Sequence, residues 1–173
     1  RVVNARTRVI AVGMASNALG TVTAFAPIRA LAAQVGALTV VDAVHYAAHL
    51  PLDVQALDCD FLLCSAYKFY GPHVGVLYCR SGLLDTLDPD RLIVQHQEAP
   101  HRIETGTPNF AAFAGVTAAI DYLAGFGSGA TRRACLLDAI TAIADYEHAL
   151  ATQYAAALAT LPGIVVHGPA IET

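Results

Sequence analysis

Lysine is nearly absent from this sequence. Lys68 is the only one, and the other nine basic residues are arginines. A lysine amine can lose its proton when desolvated and can form a Schiff base, which an arginine cannot do. The single lysine is therefore either a snorkelling surface side chain or a chemical group. Charge of either sign is scarce: charged residues make up 14% of the 173, with a formal net charge of −4. Basic residues form no cluster, which argues against a nucleic acid partner. No apolar run reaches the length of a membrane span, so no membrane partner is expected. The four cysteines, Cys59, Cys64, Cys79 and Cys135, include no Cys-x-x-Cys pair. That argues against a metal site, zinc in particular. Most of them lie in or beside apolar runs and read as small core residues of a reduced, cytoplasmic protein. Internal repeats and low-complexity tracts are absent. The start, Arg1-Val2-Val3-Asn4, resembles neither a signal peptide nor an initiator methionine. The expectation is a piece of a longer protein.

Apolar residues are abundant at 55%, and the length is that of one domain with a sizeable core. Arg8 to Met14 reads as a buried strand ending near Ser16-Asn17. Ala26 to Val35 has helical spacing, with Pro27 near its start and Gly36 at its stop. Ala37 to Val41 and Asp60 to Ser65 read as further buried strands, with a helical turn over Val54 to Leu57 between them. Gly75 to Cys79 reads as a fourth strand. Strand–helix–strand alternation predicts a mostly parallel α/β sheet. The link from Tyr70 to Gly75 is too short for a parallel crossover, so the fourth strand should run antiparallel to the third. Ser81 to Leu87 reads as a short helix, and residues 88–108 as a long polar loop. Phe110 to Ala124 and Arg132 to Leu161 have helical periodicity, the latter with Leu136, Ile140, Ile143, Leu150 and Tyr154 on one stripe. Gly125 to Gly129 separates them and is the candidate domain boundary. Ile164-Val165-Val166 reads as the start of another strand.

Two of these strands finish on ionisable residues. Val40-Val41 leads into Asp42, and Phe61 to Cys64 leads into Ser65 and Lys68. Ligands in open α/β sheets sit at the carboxyl ends of strands. An acid and an amine are thus expected in one crevice. Farther on, Gly106 permits close backbone approach, Pro108 fixes the chain and Asn109 suits a helix cap. Thr107 between them reads as a rigidly presented hydroxyl.

Five motifs then occur in one order. They are Ser16-Asn17-Ala18-Leu19-Gly20-Thr21, Val41-Asp42, the run from Pro51 to Asp60, Ser65-x-x-Lys68-x-Tyr70-Gly71-Pro72, and Glu104-x-Gly106-Thr107-Pro108-Asn109. Together they resemble the cysteine desulfurase group of class V aminotransferases, over about Arg8 to Gly127. These are fold-type I enzymes dependent on pyridoxal 5'-phosphate. The resemblance implies that residues 1–127 belong to the large, cofactor-binding domain. Residues 128–173 would be the long helix and first strand of a smaller C-terminal α+β domain.

The resemblance also implies roles. Lys68 would carry the cofactor as a Schiff base and later move protons. Asp42 would pair with the pyridine nitrogen and keep it protonated, so that the ring acts as an electron sink. Asn17 would contact the ring hydroxyl or the substrate carboxylate, and Ser65 the phosphate. Thr107 would reach the phosphate of a neighbouring subunit's cofactor, giving a homodimer with a shared active site. Two positions depart from the family pattern. His45 stands where a glutamine is usual and can still hydrogen-bond or protonate near the ring oxygen. Tyr67 stands where a histidine is usual and can still donate to a phosphate. None of the four cysteines matches the family's persulfide-forming residue. The implied activity is sulfur release from cysteine, a small amino acid. Transamination, lyase or epimerase chemistry, or an inactive scaffold, remain as alternatives. Retention of both Asp42 and Lys68 argues against the scaffold. His49, His73, His96, His148 and His167 receive no role.

Overall fold

The computed structural model describes residues 2–171. Three apolar runs form parallel strands: β1 (Val9–Gly13), β2 (Leu38–Asp42) and β3 (Phe61–Ser65). β4 (Gly75–Cys79) joins β3 antiparallel, as the short connection predicts, and the sheet order is β1-β2-β3-β4. Helix α1 (Phe25–Val35) makes the first crossover. It stops at Gly36, whose φ of 67° is left-handed, and the Gly36 N–H donates to the Ala32 and Ala33 carbonyls. Glycine takes that conformation without a Cβ penalty. The second crossover holds a short 3-10 turn (Tyr46–Ala48) and one turn of helix, α2 (Val54–Leu57). Asp53 caps α2, accepting from the Gln55 and Ala56 N–H groups at 2.9 and 3.2 Å.

Side chains alternate across the sheet, and the two faces differ. Val41 and Leu62 point to one face and are buried with Met14, Phe25, Ala43 and Cys59. Burying each such Val or Leu contributes roughly 1.5–3 kcal/mol. On the other face Val9, Leu63 and Leu77 are 52%, 38% and 44% exposed. Asp60 and Thr39 are buried polar residues joined to each other across β2 and β3.

After β4 come α3 (Leu83–Thr86), shorter than expected, and the irregular stretch with one 3-10 turn at His101–Ile103. α4 (Phe110–Ala124) begins where Asn109 Oδ1 accepts the Ala112 N–H at 3.1 Å. α5 (Arg132–Ala159) begins where Thr131 caps Ala134. The corner between them is tight. A Cβ on Gly127 would stand 1.9 Å from the Cys135 carbonyl oxygen. The apolar stripe on α5 is only partly used. Ala139 and Ile140 are buried, while Leu150 and Tyr154 stand exposed.

Two expectations fail. The first strand is not buried, its residues alternating between exposed and partly buried because it lies at the edge of the sheet with one face open. Ile164-Val165-Val166 forms no strand, and these residues are 51%, 73% and 62% exposed. A strand needs a hydrogen-bonding neighbour, and none pairs with this segment among the described residues.

Candidate active site

The parallel register sets Gly13 and Asp42, the last residues of β1 and β2, abreast of Leu63 in the middle of β3. Ser65 lies two residues past Leu63, so its side chain leaves the sheet on the face that Asp42 uses. Asp42 is exposed. One of its oxygens, Oδ1, accepts the Val44 N–H at 2.9 Å. Among the described residues, Asp42 Oδ2 and the Lys68 ammonium have no hydrogen-bonding or ionic partner.

Lys68 sits in a 3-10 turn, Ala66–Phe69, that leaves β3 directly. The turn reverses at Tyr70, whose φ is 68°. A bulky residue with positive φ stores strain of about 1–3 kcal/mol, and such strain clusters at functional sites. Gly71 follows, where a Cβ would lie 3.0 Å from both the Ala66 Cβ and its carbonyl oxygen. Lys68 is partly buried, and its Nζ lies 5.1 Å from the centre of the Tyr67 ring. Tyr67 is exposed and stacks on His73, with ring centres 4.9 Å apart and planes at 12°.

The loop after β1 closes on itself. Ser16 Oγ accepts the Ala18 and Leu19 N–H groups, and Ser16 and Thr21 are joined through the backbone. Asn17 is held exposed at its tip. Asn17 and His45 line one cleft of about 490 Å³, together with His49 and, from α5, Glu147 and His148. His49 Nδ1 lies 2.7 Å from Glu147 Oε2, across 98 residues of sequence. Thr107 is exposed. It lines a separate hollow with His96, His101, Gly106 and Phe110. Gly106 has φ 76° there, a left-handed conformation that favours glycine. Cys59, Cys64 and Cys79 are free, and burial pushes each thiol above its ordinary pKa. A nucleophilic cysteine needs the reverse shift.

Sequence reasoning passed over His49 and His73. His73 could have been found, because the short β3–β4 link that predicted an antiparallel pair also returns residue 73 toward residue 67. Nothing local to His49 points to Glu147.

The Aminotransferase class-V family model matches residues 1–173. The chain belongs to the class-V aminotransferase family. Among curated relatives of this family, a cysteine desulfurase of Klebsiella pneumoniae is 39% identical over 95% of this chain and 41% of its own length. A cysteine desulfurase of Serratia proteamaculans is 36% identical over 97% of this chain and 42% of its own. In structure, the Escherichia coli cysteine desulfurase CsdA aligns with a TM-score of 0.79 at 33% identity, over 94% of this chain and 41% of that one. The apo cysteine desulfurase of Thermococcus onnurineus aligns with a TM-score of 0.75 at 30% identity. The chain thus spans about 41% of the length of the curated relatives it matches.

Class-V aminotransferases are pyridoxal-phosphate-dependent enzymes. The donor set here fits that cofactor. It offers an unpaired amine for a carbonyl, an acid with a free oxygen for a basic ring nitrogen, and hydroxyl and amide groups for oxygen atoms. They stand at or just beyond the ends of the parallel strands, where the open sheet admits a ligand.

Proposed function

We propose that this chain holds the cofactor-binding centre of a cysteine desulfurase, which releases sulfur from cysteine. The observation that carries the reading is Lys68. It is the one lysine of the chain, wound onto a strained turn beyond β3 and left without a carboxylate partner among the described residues, while Asp42 ends the neighbouring strand.

Pyridoxal phosphate supplies an electrophilic carbonyl and a ring that takes up the electrons left on a substrate carbon. Lys68 offers the amine that attaches to the carbonyl. The same amine would be the group that moves a proton at the substrate α-carbon. Asp42 would offer its unpaired oxygen to the ring nitrogen and hold a proton there. Its other oxygen is already fixed by the Val44 N–H, so the carboxylate is oriented in advance. Ser65 and Tyr67 donate to phosphate oxygens. His45 donates near the ring oxygen, and Asn17, in the same cleft, orients the ring hydroxyl or the substrate carboxylate.

Thr107 would serve the phosphate in a second copy of the chain, so that the working unit is a homodimer; its exposure on a hollow lined by Gly106 and Phe110 supports that reading. Four free thiols suit a reducing compartment, the cytoplasm. Among the described residues no helix is long and apolar enough to cross a membrane.

The test uses the full-length protein that carries this chain. After loading with pyridoxal phosphate and borohydride reduction, peptide mapping should find the pyridoxyl group on Lys68. L-cysteine with a thiol reductant should then yield sulfide and alanine. A pyridoxyl group on another residue overturns the assignment of Lys68. Amino-group exchange or racemisation without sulfide moves the activity to another member of the family.

A further inference from the structure

We propose that His73 is a positioning residue for Lys68, acting through the ring of Tyr67. The inference rests on the reading of Lys68 given above. The turn that carries Lys68 is closed by its own backbone. The Ala66 N–H donates to the Val74 carbonyl at 2.8 Å, the Gly71 N–H to the Ala66 carbonyl at 2.8 Å, and the Val74 N–H to the Pro72 carbonyl at 2.8 Å. Lys68 is on the outgoing limb of this turn and His73 on the returning limb. Their separation is therefore set by main-chain bonds and by the close approach of Gly71 to Ala66.

Tyr67 is 45% exposed, and a side chain with that much solvent around it would turn among rotamers. Its ring instead lies nearly parallel to the His73 imidazole, at 4.9 Å and 12°. The same ring has the Lys68 Nζ 5.1 Å from its centre, within the range at which an aromatic face attracts an ammonium. One stack thus settles two things together. It fixes where the Tyr67 hydroxyl points, and it gives the Lys68 amine a place to rest between attachments. His73 is assigned no contact with the cofactor itself, so it acts by holding Tyr67, which is.

The experiment measures capture of pyridoxal phosphate by the full-length apoprotein. Samples are quenched with borohydride over time, and the pyridoxyl-bearing Lys68 peptide is quantified by mass spectrometry. His73→Ala should slow capture about three- to tenfold, the weight of one aromatic pair. His73→Phe, which keeps a flat ring for the stack, should restore it to within about twofold. Tyr67→Phe should lose cofactor on dialysis, because the ring remains and the hydroxyl does not. A readout independent of cofactor is the His73 Hε1 proton resonance. Its ring-current shift should survive Tyr67→Phe and vanish in Tyr67→Leu. Wild-type capture by His73→Ala, capture by His73→Phe as slow as by His73→Ala, or a His73 resonance unmoved by Tyr67→Leu each overturns the proposal alone. A wild-type protein that takes no pyridoxyl group on Lys68 overturns the functional reading and this one with it.

Discussion

Asp60 and Asp42 flank the same pair of strands at opposite ends, and the fold treats them differently. Asp60 precedes β3 and is 2% exposed. Its Oδ2 accepts from the Thr39 N–H at 2.8 Å and the Thr39 hydroxyl at 3.0 Å, and its Oδ1 meets Arg80 at 2.8 Å. Asp42 closes β2, stands exposed and has one oxygen occupied. A buried charge is tolerated only when it is paired and hydrogen-bonded. A carboxylate left partly unpaired at the ligand end of the strands is available to something else. Satisfaction, more than residue type, separates the structural acid from the one proposed to do chemistry.

The sharpest way to break this contrast is to swap the consequences. Asp60→Ala leaves Thr39 without its acceptor and Arg80 without its partner. Stability should fall by about 3–5 kcal/mol, read as the urea midpoint of the full-length protein. Asp42→Asn should leave that midpoint in place and lower turnover on the order of 100-fold, the scale of losing one preorganised electrostatic partner. A variant with normal turnover would show that Asp42 does not act at the ring nitrogen. Thr39→Val keeps the shape but removes the hydroxyl that bridges the Asp60 carboxylate and the Asp60 N–H. It should cost about 1–2 kcal/mol with activity unchanged.

The smallest effect concerns a third acid, Asp53. The Ala56 and Gln55 N–H groups, and then Arg133, hold its carboxyl below the ordinary value of 3.8. A group whose pKa is lower in the folded state stabilises the fold above its unfolded pKa and loses that contribution as pH falls through the folded one. Exchange protection of the Gln55 and Ala56 amides should therefore decline below pH 3.8. In Asp53→Ala that decline should disappear.

Most of the architecture was legible because its signals are local. Apolar runs ending on turn residues marked all four strands, and the Tyr70–Gly75 link gave the direction of β4. Asp42, Ser65 and Lys68 were legible for the same reason, since each sits at or just past a strand end. What escaped depends on neighbours distant in sequence. The His49–Glu147 pair and the burial of Asp60 against Thr39 are tertiary events. Ile164-Val165-Val166 has the composition of a strand, yet composition cannot supply a pairing edge. The stripe on α5 marked a helix correctly but did not tell which of its turns would be covered.

The corner at Gly127 has a geometric consequence. With the Cys135 carbonyl occupying the space where a side chain would be, the corner between α4 and α5 is packed backbone to backbone. α4 starts three residues after Thr107, and the far arm, α5, carries Glu147 to His49. The hollow around Thr107 and the cleft around His45 thus stand on the two arms of one closely packed corner.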